Sequence, residues 1–231
     1  MSQNNDFNSS IFDSFELYNE DINNFFKTNY IVKKTFHTGE RLDRGNTNSV
    51  QYLNSGLIKV YNINLDGNEV FTGYIPLHST MYTSPGLNFL GKYSVAAVET
   101  EIYYCKMNDY LSFLQESPDR LLHALHEPYY RRNLNSLPTY EAIGQSLRFK
   151  VYNYIYYVAN RFGIISNNDS NKVIVINPPS YIDIANFNSV HPSNVSTCFS
   201  ELKNAGILSK GKNKITLDMQ RLEKALDYLR K

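Results

Sequence analysis

Apolar and polar positions follow two different rhythms along this chain, and the change between them divides it. From Tyr30 to Met107 the apolar residues come in short runs punctuated by glycine. Ile31 and Val32, then residues 50–53, 57–61, 70–75, 95–98 and 102–105, read as strands. Asp66-Gly67 reads as a hairpin turn, because both residue types tolerate positive φ, and Gly45-Asn46 marks a second turn. Short strands at regular spacing with turns between them predict a β-barrel or roll. From Asp109 the spacing becomes helical. Ser117-Pro118-Asp119 is a helix start: a cap, a proline, and an acid near the positive dipole end. Leu121, Leu122, Leu125 and Leu134 are placed to line a helix–helix seam. Pro128 and Pro138 are each expected to end or kink a helix, unless one opens the next. Gly144-Gln145-Ser146 reads as a hinge, with Ser146 capping a helix to about Phe162. Leu147, Val151, Ile155 and Val158 give that helix its core stripe. A loop at residues 167–170, a strand at 173–176 and Pro178-Pro179 follow.

The segment 180–217 carries the most information. Ser180 is placed to cap a short helix, with Asp183 three residues on as in a capping box. Ile182, Ile184 and Ala185 are expected to face the core, and residues 186–190 to form a turn. Pro192 suits the first turn of a second helix, where its missing N–H costs nothing. Val195, Phe199 and Leu202 share one face of that helix, and Gly206 sits where a terminating glycine belongs. Ile207 and Leu208 begin a strand, residues 209–214 form a lysine-bearing turn, and residues 215–217 return. Two short helices joined by a tight turn and followed by a β-ribbon make a winged helix-turn-helix, a device for reading duplex DNA. The outward positions of the second helix are His191, Ser193, Asn194, Ser196, Thr197 and Ser200, and the wing carries Lys210, Lys212 and Lys214. Asn pairs bidentately with adenine, and Ser and Thr contact bases or phosphates. The alternative reading is an amphipathic helix whose polar face merely meets water.

Bulk properties narrow the class. The 231 residues fit two small domains or one large one, and the formal net charge of +1 exerts no global pull on nucleic acid. Charge is uneven, however. Asp6, Asp13, Glu16, Glu20 and Asp21 stand near the start with only Lys27 against them, whereas Lys203, Lys210, Lys212, Lys214, Arg221, Lys224, Arg230 and Lys231 crowd the end. Residues 1–27 read as a short helical or partly disordered leader, with Phe12, Phe15, Phe25 and Phe26 available to pack. Cys105 and Cys198 lie far apart in sequence, which argues against a disulfide framework and for a reducing compartment. Both are expected in cores: Cys105 alternates with apolar strand neighbours, and Cys198 lies beside Val195 and Leu202 on the helix. The start lacks the basic-then-apolar pattern of a signal peptide, and no apolar run is long enough to span a bilayer, so a cytoplasmic protein without membrane contact is expected. The sequence holds no Gly-rich phosphate loop, metal-ligand cluster or nucleophile motif. An enzyme is therefore not expected, and no cofactor or metal is predicted.

Taken in order, these pieces resemble the Crp/Fnr family of bacterial transcription regulators over residues 28–229. In the first half the resemblance rests on Phe36, Gly39-Glu40, Gly45, the run Leu53-Asn54-Ser55-Gly56-Leu57-Ile58-Lys59-Val60, and Asp66-Gly67. In the second it rests on Val190-His191-Pro192-Ser193-Asn194-Val195-Ser196-Thr197 with Leu202 and Gly206-Ile207-Leu208, an order most similar to the PrfA-like subgroup. The resemblance implies an α+β chain in three parts. Residues 1–116 are a cyclic-nucleotide-binding-like β-roll (jelly-roll) that senses an effector, residues 117–145 a dimerisation helix and hinge, and residues 146–231 the winged helix-turn-helix. It further implies a homodimer on double-stranded DNA, RNA polymerase as a further partner, and an unidentified small-molecule effector.

Departures from the family matter as much. Its cyclic-nucleotide binders hold ribose and phosphate with a Gly-Glu pair and an Arg. The corresponding stretch 81–98 has neither Arg nor Glu, and Lys92 is its only cation. An anionic phosphate needs such a fork to replace its water, so cAMP is not the expected effector. Two separated cysteines cannot hold an iron–sulfur cluster within one subunit. His78, His123 and His126 are haem-ligand candidates by residue type alone. Where many relatives carry Arg, Glu and Arg on the recognition helix, this chain has Pro192, Ser193 and Thr197. One alternative stays open: a degenerate relative that acts through protein contact without sequence-specific DNA binding.

Overall fold

The computed structural model describes residues 19–42, 48–82, 91–167 and 169–230. Phe12, Phe15, the Gly45-Asn46 turn, residues 83–90 of the expected effector stretch and Lys231 lie outside the described residues. The chain divides into two compact units, residues 1–68 with 73–135, and residues 69–72 with 136–231.

Among the described residues the first unit begins with α1 (Glu20–Asn29), whose cap is the Asn19 side chain accepting from the Ile22 N–H at 3.0 Å. Seven strands are described after it: β1 (Val32–Phe36), β2 (Ser49–Ser55), β3 (Ile58–Ile63), β4 (Glu69–Ile75, whose residues 69–72 count with the second unit), β5 (Thr80–Tyr82), β6 (Lys92–Ala96) and β7 (Thr100–Lys106). They form two sheets, in the orders β1-β7-β2-β5 and β4-β3-β6. Alternation along β2 and β7 explains the roll. Val50 and Tyr52 of β2, with Tyr103 and Cys105 of β7, join a cluster built on Ile22, Phe26 and Tyr110. Leu53, Ile102 and Tyr104 point the other way, into a cluster with Ile58, Val60 and Ala96 of the second sheet. Both faces of these central strands are therefore covered, by helices on one side and by a sheet on the other. Gly39, Gly56 and Gly67 all take positive φ in the turns between strands. At Gly56 a Cβ would also lie 2.6 Å from the Glu99 carbonyl oxygen, so no other residue fits there without backbone movement. β5 is not anticipated in the sequence pattern. It is three residues long, and its first residue, Thr80, is a buried polar one.

α2 (Met107–Gln115) leads to α3 (Pro118–Glu141). Neither Pro128 nor Pro138 ends the helix, and α3 runs through both. Each proline removes one donor, leaving the Ala124 and Leu134 carbonyls without their usual i+4 partner. The inner face compensates by burial, with Ala124, Glu127, Tyr130 and Leu134 all in the interior. Of the expected leucine seam only Leu134 is buried; Leu121, Leu122 and Leu125 are exposed.

Glu127 is the unusual member of that inner face, only 1 % exposed. Its carboxylate accepts from Arg131 Nη1 at 2.8 Å and from Thr80 Oγ1 at 3.1 Å. Arg131 Nη1 also donates to the Thr80 carbonyl at 3.1 Å, so the group clamps α3 to β5. Burial pushes the Glu127 carboxyl above its ordinary value of 4.5, against the opposing pull of Arg131. Between 4.5 and that raised value the folded protein holds a proton that the unfolded chain has released. Its stability contribution is full at lower pH and is lost as pH rises through the window. Relative to Glu127→Gln, wild-type stability in urea is expected to fall as pH rises from 4.5 upward. Parallel stability curves for the two proteins would contradict this assignment.

The second unit contains α4 (Leu147–Phe162), β8 (Ile164–Ser166), β9 (Asp169–Ile176), α5 (Tyr181–Asn188), α6 (Pro192–Asn204), β10 (Leu208–Gly211), β11 (Lys214–Asp218) and α7 (Met219–Leu229). Its sheet has the order β10-β11-β9-β8. Ser146 caps α4 by accepting from the Phe149 N–H at 3.2 Å. Of the expected stripe Val151, Ile155 and Val158 are buried and Leu147 is half-buried; Tyr152, Asn153 and Tyr154 are buried as well, so α4 is enclosed on most sides. The expected loop at 167–170 is shorter, because β9 already begins at Asp169. α7 is capped by Asp218 and buries Leu222 and Leu226. Among the described residues no helix is long and apolar enough to cross a membrane.

Candidate nucleic-acid interface

The capping box forms as expected: Ser180 Oγ accepts from the Asp183 N–H at 3.0 Å, and Asp183 Oδ2 accepts from the Ser180 N–H at 2.9 Å. Ile184 and Ala185 are buried, but Ile182 is 60 % exposed. The helix also continues through Asn188, beyond the expected turn start at Asn186, and ends at Ser189, which takes φ 53. The turn is therefore tighter than expected.

α6 follows with Pro192 in its first turn. His191 proves to be its N-cap. Its Nδ1 accepts from the Ser193 N–H at 3.3 Å and lies 2.7 Å from Ser193 Oγ. Val195, Cys198, Phe199 and Leu202 are buried, and the Phe199 ring lies 4.6 Å from that of Tyr181. On the opposite face His191, Ser193, Ser196, Thr197 and Ser200 are exposed, whereas Asn194 is half-buried. Thr197 Oγ1 donates to the Ser193 carbonyl at 3.1 Å and Ser200 Oγ to the Ser196 carbonyl at 3.0 Å. α6 ends at Asn204, and Gly206 takes φ 68, a left-handed value that glycine adopts without strain.

The wing is a hairpin with a two-residue connection. Gly211 pairs with Lys214, leaving Lys212 and Asn213 as the loop, and Asn213 takes φ 54. Ser209, Lys210 and Lys214 thus belong to strands rather than to the turn. Lys212 and Lys214 are exposed. Lys210 extends along the edge strand to place its ammonium 5.2 Å above the Tyr181 ring, a cation–π contact that fixes its direction.

One anchoring residue is missed in the sequence reading. Glu201, on the flank of α6, accepts from Arg148 Nη2 at 2.6 Å and from the Tyr152 hydroxyl at 3.1 Å. The Arg148 hydrogen bond holds its carboxyl below the ordinary value, while burial works in the other direction. α6 is therefore tied by charge to α4. The partners lie 53 and 49 residues away in sequence, so no local pattern announces them.

The histidine candidates differ in their surroundings. His78 Nδ1 lies 3.0 Å from the Tyr52 hydroxyl, and burial, then the Lys27 charge, lowers its pKa. His123 is half-buried and His126 exposed. Among the described residues no group of three or more His, Cys, Asp and Glu side chains could hold a metal ion. Both cysteines are buried and unpaired. Burial, then the Asp109 charge, pushes the Cys105 thiol up to about 12. Burial, then the Glu201 charge, pushes Cys198 up to about 11. Neither supplies the thiolate that redox chemistry needs near neutral pH.

No family model and no curated protein sequence matches the chain. Solved structures do. A CRP-family transcriptional regulator from Thermus thermophilus matches 84 % of this chain and 96 % of its own at 14 % identity, with a TM-score of 0.65. A cyclic nucleotide-binding domain containing protein from Listeria monocytogenes covers 94 % of this chain and 98 % of its own at 16 % identity, TM-score 0.63. A CprK variant complexed with OCPA covers 90 % and 94 % at 19 % identity, TM-score 0.61. The fold is that of the Crp/Fnr-type regulators. It is an α+β chain with a cyclic-nucleotide-binding-like β-roll, a long helix, and a winged helix-turn-helix.

Proposed function

We propose that this protein is a homodimeric transcription regulator of the Crp/Fnr type that reads duplex DNA and does not respond to cAMP. The observation that carries the reading is the α6 surface. Its apolar face is buried, its flank is anchored through Glu201, and its polar face stands out beside a lysine-bearing two-residue hairpin. That is the arrangement in which a recognition helix enters the major groove while a wing reaches the backbone. His191, Ser193, Asn194, Ser196, Thr197 and Ser200 are the proposed contacts of the helix, and Lys210, Lys212 and Lys214 those of the wing. The order of residues 190–197 favours the PrfA-like subgroup.

Self-association is supported by α3. Leu122, Leu125 and Tyr129 are 51 %, 64 % and 68 % exposed at the a/d spacing of a helix–helix seam. A second α3 covers them, and two recognition helices then meet successive major grooves about one helical turn, roughly 34 Å, apart. Sedimentation of the full chain is expected to show a dimer, and the double substitution Leu122→Asp, Leu125→Asp a monomer. A wild-type monomer on a two-half-site duplex would remove the homodimer. The missing Arg and Glu in residues 81–98 support the effector claim. Added cAMP or cGMP is expected to leave the melting temperature unchanged, and a shift saturating at micromolar nucleotide would contradict it.

A further inference from the structure

We infer that the recognition face of α6 is chemically suited to A·T base pairs and makes no guanine contact; this rests on the DNA-reading function proposed above. In the major groove guanine offers two acceptors, N7 and O6, and is read by a side chain with two donors, Arg or Lys. The outward positions from His191 to Ser200 include neither. The first cation of the helix is Lys203, in its last turn, whereas bases are contacted by the N-terminal residues of a recognition helix.

The hydroxyl groups do not replace the missing donors. Thr197 and Ser200 give their protons to the Ser193 and Ser196 carbonyls. His191 Nδ1 accepts from the Ser193 N–H, so in the neutral ring the proton sits on Nε2. The 2.7 Å contact between Nδ1 and Ser193 Oγ is then a hydrogen bond donated by Ser193. Three of the four outward hydroxyls are left as acceptors. Ser196 offers one donor at most, and His191 Nε2–H one more at the helix entry.

An acceptor-rich face opposes the acceptors of guanine and suits an amino donor, adenine N6 or cytosine N4; the Asn194 amide and the Thr197 methyl then decide for A·T. Asn194 carries the one side-chain amide here, whose NH2 and carbonyl oxygen match adenine N7 and N6. The Thr197 γ-methyl matches the thymine C5-methyl. Exposed Lys212 and Lys214 fit backbone phosphates, which carry no sequence.

The test is selection of the full chain on random duplex, followed by base analogues. The expected half-site has A·T pairs facing Asn194 and Thr197. Replacing its thymines by uracil, which lacks the methyl group, weakens binding roughly fivefold or more. Replacing any guanine by 7-deazaguanine, which lacks N7, changes nothing. Thr197→Arg is expected to select a guanine at one new position by a similar factor. An invariant guanine in the wild-type half-site, weakened as strongly by 7-deazaguanine, overturns the inference while leaving DNA reading intact. Selection that enriches no sequence for either protein removes the DNA-reading function and this inference together.

Discussion

Phe26→Ala is expected to lower the stability of the first unit by about 3–5 kcal/mol, the range for deleting a fully enclosed aromatic ring. Phe26 is 0 % exposed. Its ring stacks on Tyr52 at 4.6 Å with an interplanar angle of 10°, and lies 5.3 Å from Tyr110 and 5.4 Å from Phe25. It therefore fastens α1 to β2 and α2. Truncation removes the burial of the ring and leaves a cavity whose walls are other large rings, which cannot close on it. The measurement is urea unfolding followed by far-UV circular dichroism, since the chain has no Trp. Tyr30→Ala, at a ring stacked on Tyr103 but half in solvent, is the control and should cost far less. A loss below about 1 kcal/mol for Phe26→Ala, the ordinary effect of a single substitution, would mean that α1 is not part of the core.

Most of the fold is legible in the sequence because burial repeats with the period of each element. β7 is readable from residues 102–105 because both of its faces are buried, which demands an unbroken apolar run. The helix-turn-helix is readable because its boundaries are set by local chemistry: a Ser180–Asp183 capping box, Pro192 in a first turn, and a glycine at 206 with positive φ. Ile182 departs from its expected burial for a geometric reason. Residues two apart on a helix point about 200° away from each other, so Ile182 and Ile184 cannot share a face. Pro128 and Pro138 carry a local penalty, and tertiary burial of the neighbouring residues outweighs it. α7 is absent from the sequence reading although Asp218, Leu222 and Leu226 carry an ordinary cap and an i, i+4 pair.

The candidate site is legible only in its outline. The outward and inward faces of α6 follow from helical period, except that Asn194 is half-buried rather than exposed. What orients the helix does not: Glu201 finds Arg148 and Tyr152 on α4, and Lys210 finds the Tyr181 ring, through contacts between elements distant in sequence. The hydroxyl orientations of Thr197 and Ser200 belong to the folded helix as well.

The DNA-reading function makes its sharpest demand on three side chains with different expected behaviour. Loss of a group that reads a base costs about 1–3 kcal/mol on the best site and relaxes preference at that position. This is expected of Asn194→Ala and Thr197→Ala. Loss of a phosphate contact weakens binding to every sequence alike and reduces the salt slope by about one unit. This is expected of Lys212→Ala, because Lys212 stands at the tip of the wing. The deciding measurement is the affinity of wild type and these three variants for an enriched operator and for random duplex, each at two salt concentrations. The expected result is a loss confined to the operator for the first two and a uniform, salt-dependent loss for the third. If all three variants bind both duplexes as wild type does, α6 does not read DNA, and a protein surface rather than a major groove is its partner.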